Sequence, residues 1–153
     1  AMMAQYKGSH EDFDLFVVPV TKDGKQMRDT MGTISTLVDM GVAADKIAVV
    51  MNQVEPGEKV DEAFSALFAF HAASGGFTLR PQAAIHFNEV YQKARDVGLS
   101  VAELVADETD WKAVIRDATD PSEKAAAVQR LMLRRLALSA NENLDNVFAA
   151  LAA

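Results

Sequence analysis

The residues best suited to chemistry lie in three short segments, each close to the end of an apolar run. The first spans residues 21–26, where Lys22, Gly24 and Lys25 precede a helical pattern. Backbone N–H groups at the start of a helix, together with lysine side chains, can hold an anion such as a phosphate. One glycine and two lysines also occur in ordinary solvated turns, so both interpretations stay open.

The second segment is Asn52, at the end of the apolar run 46–54. Its side-chain amide offers both a donor and an acceptor, which is what pairing with the edge of a nucleobase requires. The turn sequence Glu-Pro-Gly-Glu follows at 55–58, and an asparagine before such a turn also caps it without any ligand. The functional and the structural interpretations of Asn52 therefore both stand.

The third segment consists of Arg80, Pro81 and Gln82, followed by His86. An arginine suits a phosphate or a carboxylate, and a proline fixes the loop that presents it. A surface corner is the alternative. In an open parallel sheet ligands bind outside the carboxyl ends of the strands, and we expect all three segments to lie there.

No complete catalytic signature accompanies these segments. The sequence contains no G-x-x-x-x-G-K-[ST] loop, no G-x-G-x-x-G, no nucleophile elbow, no H-E-x-x-H and no cysteine. His10, Glu11 and Asp12 are metal-ligand types, but such a loop is usually solvated. We therefore predict no catalytic residue and no metal site in this chain. An enzyme acting on a small molecule through Lys22, Asp23 and His86 is a third alternative.

The elements that must position these segments alternate between strand and helix. The β-branched apolar runs at 13–20 and 46–54 predict buried strands, with a helix between them that ends near Gly41. A second helix is predicted over 60–73, followed by short strands at 77–79 and 83–87. We expect a third helix over 88–97 and a capped helix from Ser100. Asp120 and Pro121 mark a further capped start, followed by either one long helix or two helices with a break near Asn141.

This order predicts an α/β fold, with a parallel sheet flanked by helices and a helical C-terminal extension. We expect an α/β domain over residues 1–107 and the extension over residues 108–153, packed on the same domain. The 153 residues suit one core, and half of them are hydrophobic, which excludes general disorder.

Charge and composition narrow the functional classes. The net charge of −7 does not favour direct binding to nucleic acid, because proteins that grip phosphates are usually basic. No apolar run reaches the length of a membrane span, and residues 1–7 lack the long apolar core that is typical of a signal peptide. The absence of cysteine fits a reducing compartment, so we expect a cytoplasmic protein.

Three stretches resemble the later half of the ParA/MinD-type deviant-Walker P-loop ATPases, and most of all the plasmid stability proteins called StbB. They are FDLFVVPV at 13–20, KIAVVMNQV at 46–54 and RPQAAIHFNEVYQKARDVGLSVAELVAD at 80–107. The resemblance implies that Pro19 ends a family strand and that Asn52 contacts adenine. It also implies that Arg80, Pro81 and Gln82 form the loop over the base.

The family's phosphate loop and magnesium-binding aspartate would precede residue 1. Ala1 before two methionines indicates a cloning remnant, and we expect the chain to be a fragment. ATP and Mg²⁺ are then expected in the intact protein only, and no cofactor in this chain.

The resemblance implies the C-terminal part of an ATPase of plasmid stability or partition. Its expected partners are a second copy and an adaptor protein bound to plasmid DNA. The alternative is a non-enzymatic interaction module on a degenerate NTPase-like scaffold. Neither hypothesis involves a membrane.

Overall fold

The computed structural model describes residues 14–152, which include a three-stranded parallel sheet with helices. The strands are β1 (Phe16–Val20), β2 (Ile47–Val54) and β3 (Ala84–His86), in the order β1-β2-β3. β1 and β2 pair in parallel from Phe16 opposite Ile47 to Val20 opposite Met51. The predicted α/β class is therefore confirmed, and the two long apolar runs are neighbouring strands. The first strand begins later than expected, at Phe16, and residue 13 lies outside the described residues.

Helix α1 (Gly24–Asp39) connects β1 to β2. It begins three residues before Met27, the first residue of the apolar pattern, because the Asp23 carboxylate caps the helix by accepting from the N–H of Gln26 at 2.9 Å. Its buried face carries Met27, Ile34 and Leu37. The helix ends at the predicted place, since Gly41 follows it with a φ of +89°. A 3-10 turn, Ala44–Lys46, then leads into β2.

The segment after β2 forms two helices, α2 (Val60–Ala63) and α3 (Ser65–Ser74), where one was predicted. Phe64 separates them with φ −111° and ψ 35°. Phe64 and Leu67 are nevertheless both completely buried. The spacing of apolar residues therefore continues across the break, which is why the pattern alone could not reveal it.

The strand predicted at residues 77–79 is not formed. Thr78 makes an isolated parallel bridge with Ala48, and the regular strand begins at Ala84 opposite Met51. β3 thus lines up with the second half of β2, and five residues of this segment lie between the two pairings, opposite two residues of β2.

The core of this sheet is built around β2, whose residues from Ile47 to Met51 are at most 4% exposed. A parallel strand buried on both faces is expected to be continuously apolar, as β2 is. In β1 only Val18 and Val20 are buried, whereas Val17 and Pro19 are exposed. β1 is an edge strand of the described sheet, which is where a proline is tolerated within a strand.

The described residues divide into two compact units, residues 14–87 with 146–152 and residues 88–145. The boundary expected after residue 107 falls inside the second unit. Four helices follow β3, and the last runs through the second unit into the first: α4 (Val90–Asp96), α5 (Val101–Ala106), α6 (Trp111–Asp117) and α7 (Pro121–Ala152).

The second unit has its own core, formed by Val90, Ala94, Leu104, Leu133, Ala137 and Ala140. Ser100 caps α5 as predicted, with its hydroxyl accepting from the N–H of Glu103 at 3.0 Å. Of the two alternatives predicted after Pro121, the single long helix is the one formed, because α7 is continuous through Asn141. An asparagine costs a helix only about 0.5 kcal/mol, which the burial of neighbouring Ala140 offsets. Within residues 14–152, no helix has the length and apolar character needed to cross a bilayer.

Candidate functional site

The carboxyl ends of the three strands form the edge at which an open parallel sheet binds ligands. β1 ends at Val20, β2 at Val54 and β3 at His86. Because the strands are parallel, the segments that follow them leave the sheet on the same side. We define this part of the first unit as the carboxyl edge.

Asn52 lies at the carboxyl edge, within an irregularity of β2. The pairing of β2 with β3 shifts register between Met51 and Val54, so residues 52 and 53 form a bulge. The Asn52 Oδ1 accepts a hydrogen bond from the N–H of Gln53 at 2.9 Å, and the side chain is half-buried. Within residues 14–152, the amide N–H groups of Asn52 donate to no protein atom. They remain available to a ligand.

Gln53 is held in a strained backbone conformation. Its φ of +56° is the one positive φ among the non-glycine residues at 14–152. A left-handed conformation outside glycine costs about 1–3 kcal/mol, and such residues cluster at functional sites. β-Bulges also occur next to active sites, where they change the direction of a side chain. The bulge and the positive φ thus coincide at Gln53, directly after Asn52.

Lys22 forms an ion pair at the carboxyl edge. Its Nζ lies 2.9 Å from Oε1 and 3.2 Å from Oε2 of Glu58, and that Oε1 also accepts from the N–H of Glu55 at 3.1 Å. The hydrogen bond from Lys22 lowers the pKa of Glu58. This pair ties the loop after β1 to the turn after β2. An anion at this loop would have to compete with Glu58 for Lys22.

Gly24 and Lys25, the other members of the predicted anion loop, open α1 at the surface. A Cβ at Gly24 would approach only the Arg28 guanidinium, at 3.6 Å, so nothing here requires a glycine. The Asp23 carboxylate already occupies the start of the helix. These contacts do not favour an anion, which would meet a negative charge at the helix terminus.

Arg80, Pro81 and Gln82 lie before β3, which is not where we expected them. Their turn is closed by a hydrogen bond from the Ala83 N–H to the Arg80 carbonyl at 3.0 Å. It lies between the Thr78 bridge and the start of β3, alongside the first half of β2. The expectation failed because residues 77–79 form no strand for this loop to follow. The structure thus brings Lys22 and Asn52 to the carboxyl edge, and not this turn.

Pro19 and His86 occupy the ends of the outer strands. Pro19 is exposed, pairs in register with Val50 and precedes the last residue of β1. His86 is exposed at the end of β3. Asp23, the third member of the small-molecule alternative, serves as the cap of α1.

Phe87 is a residue that the sequence argument did not single out. It follows β3, donates its N–H to the Val54 carbonyl at 2.8 Å, and leaves 55% of its surface exposed. An aromatic ring in water beyond a strand end offers a face for stacking. The sequence signal was the aromatic residue that ends the strand predicted at 83–87, beside polar Asn88.

The remaining candidates have structural roles or lie outside the described residues. The His71 Nε2 lies 3.1 Å from the carbonyl of Phe77 and its ring meets the Phe77 ring edge-on. No cluster of metal-ligating side chains occurs within residues 14–152. The segment of His10, Glu11 and Asp12 lies before the described part.

Asp107 organises the basic cluster of α7 in the second unit, which we define as Arg130, Arg134 and Arg135. Its carboxylate accepts from the Thr109 N–H, from the Trp111 indole and from Arg130, at 2.9–3.1 Å. Hydrogen bonds from Thr109 and then Trp111 hold its pKa well below the usual range. Arg134 donates to the Asp107 carbonyl at 2.8 Å. Two of the three arginines of the cluster are therefore structural.

An apolar groove of about 510 Å³ lies between β1 and α1 in the first unit. Phe16, Val17 and Pro19 form its strand side, and Thr33 and Thr36 belong to its helix side. The exposed residues of β1 therefore border a concave surface.

Comparisons of the chain with protein-family models, with curated proteins and with solved structures found no match. Function is accordingly inferred from the geometry of the chain and from the resemblance of its sequence.

Proposed function

We propose that this chain is the C-terminal part of a ParA-like P-loop ATPase of plasmid stability or partition, closest to the StbB group. It contributes contacts to the nucleotide base and a partner surface, and it does not catalyse hydrolysis by itself. The observation that carries the proposal is Asn52, presented on a strained bulge at the carboxyl edge of β2, beside the parallel strand β1.

The chemistry of Asn52 suits adenine. Its amide N–H groups can donate to a ring nitrogen, while the second lone pair of Oδ1 can accept from the exocyclic amine. The peptide N–H of Gln53 takes the first lone pair, and this fixes the plane of the amide. Phe87 leaves the sheet at the same edge, and stacking of a base on an aromatic ring contributes about 1–3 kcal/mol.

The same residues do not suit the phosphates or Mg²⁺. Lys22 is already paired with Glu58, and the described residues 14–152 hold no cluster that would bind a cation. In the proposal, both groups are bound by the phosphate loop and the aspartate that family members carry upstream of this region. No step of ATP hydrolysis is assigned to a residue of this chain.

The test is equilibrium binding of a fluorescent ATP analogue to the gene product extended upstream of residue 1. We expect Asn52→Ala to weaken binding by about tenfold, since one amide that makes two hydrogen bonds is lost. Gln82→Ala, in the turn before β3, is expected to change the affinity by less than about twofold.

Two results would count against the proposal. Failure of the extended protein to bind ATP would exclude an ATPase. Binding that is insensitive to Asn52→Ala but lost with Gln82→Ala would transfer the base contact to the turn of Arg80, Pro81 and Gln82.

A non-enzymatic interaction module is the second candidate, and the groove between β1 and α1 favours it. An extended peptide can place alternate side chains in such a groove. Half of Val17 is exposed there. Pull-down from the source cell, with light scattering on the eluted complex, is the measurement. Capture should be lost in Val17→Lys, and a strict monomer that captures nothing would refute this candidate.

A further inference from the structure

Arg135 is the member of the basic cluster that the second unit does not use internally. Arg130 and Arg134 are held by Asp107, whereas Arg135 is exposed and forms no ion pair with the residues described at 14–152. A cation on the outer side of a long helix is usually only solvated. Arg135 differs from such a solvated cation because apolar residues lie on the same side of α7.

Five residues of α7 recur at spacings of three and four and form one stripe, which we define as the outer stripe: Val128, Leu131, Arg135, Leu138 and Glu142. Val128 and Leu138 are each 40% exposed, and Leu131 is half-buried. Alternating spacings of three and four are those of the seam along which two helices pack. The stripe therefore has the spacing of a helix–helix contact, and all of its residues except Leu131 are exposed.

We propose that the outer stripe is a self-association surface, on which α7 of a second copy packs in the antiparallel direction. The charges support this occupant and direction. Arg135 lies three residues before Leu138 and Glu142 lies four residues after it, so the stripe is basic on one side of a central leucine and acidic on the other. Antiparallel packing brings each Arg135 close to a Glu142 of the other copy, whereas parallel packing brings like charges together.

The test is sedimentation equilibrium of the full 153-residue chain over a range of concentrations. We expect the mass to rise from 16.6 kDa to twice that value. Arg135→Glu and Glu142→Arg should each raise the dimer dissociation constant by at least about tenfold, because two attractive pairs become repulsive. Leu138→Lys should also give a monomer.

Exchange of the two charges distinguishes loss of the Arg135–Glu142 contact from a general effect on folding. The double variant R135E/E142R should dimerise like the parent chain, and an equimolar mixture of the two single variants should form a heterodimer. Arg95 is an exposed arginine on α4. Arg95→Glu changes the net charge by the same amount as Arg135→Glu, and it should leave the dissociation constant unchanged. Far-UV circular dichroism verifies that each variant keeps its helices.

Several outcomes would overturn the proposal. A parent chain that stays monomeric at the highest soluble concentration would exclude self-association. A dimer that persists in Arg135→Glu, or a double variant that stays monomeric, would exclude the antiparallel stripe. The proposal does not depend on nucleotide binding, so absence of ATP binding together with a charge-exchangeable dimer would refute only the proposed function.

Discussion

Replacement of Gln53 measures the backbone strain at the carboxyl edge. Gln53 is exposed, so shortening its side chain loses little packing. Its backbone N–H donates to the Asn52 Oδ1, and every variant except proline keeps that donor. At φ +56° an L-residue pays about 1–2 kcal/mol that glycine does not. Glycine in turn loses about 0.5–1 kcal/mol through its greater freedom in the unfolded chain. We therefore expect Gln53→Gly to exceed Gln53→Ala in stability by up to about 1.5 kcal/mol.

Urea unfolding followed by circular dichroism gives both free energies of unfolding. The matched control is Val17, exposed in β1 with an ordinary backbone, where alanine should be more stable than glycine. Opposite signs of the glycine–alanine difference at the two positions are the expected result. If alanine is the more stable residue at position 53 as well, the left-handed conformation is not populated and the argument for a strained site fails.

Three further predictions concern the scaffold. Phe64→Ala, which empties a completely buried position, should lower the free energy of unfolding by about 3–5 kcal/mol in urea titrations. Gly76→Ala should lower it by about 1–2 kcal/mol, since its φ is +82° and a Cβ would lie 3.1 Å from Val38; a neutral result would contradict this. Asp107→Asn should destabilise the protein at neutral pH. Because the pKa of Asp107 is lowered in the folded protein, the loss in free energy of unfolding should be complete above about pH 4 and should shrink as the pH falls through the folded pKa. A loss that does not depend on pH would refute this prediction.

The sheet could be predicted because its signals are local and strong. An apolar run such as β2 has no polar face, and the helix-length segment after β1 requires a crossover, so neighbouring parallel strands followed from the sequence. The capping residues also predicted the starts of helices correctly. Asp120 and Ser100 start their helices by accepting backbone N–H groups two or three residues ahead.

The features that the sequence did not predict correctly depend on contacts between residues far apart in the chain. Whether residues 77–79 form a strand is decided by how far they lie along β2, and a single bridge at Thr78 is all that results. Because residues 77–79 form no strand, Arg80 lies before β3 and not at the carboxyl edge. The ion pair of Lys22 with Glu58 joins residues 36 positions apart and has no local signal. The bulge at Asn52 was equally invisible, since its cause is the register of β3.

Base selectivity of the upstream-extended protein tests the central claim most directly. An amide at position 52 offers a donor and an acceptor to adenine, whereas a carboxylate offers only acceptors, which suit the N–H groups of guanine. Competition titrations with ATP and GTP should show a preference for ATP in the parent protein. In Asn52→Asp that preference should fall by at least about tenfold. An ATP-to-GTP ratio that Asn52→Asp leaves unchanged would show that Asn52 does not read the base.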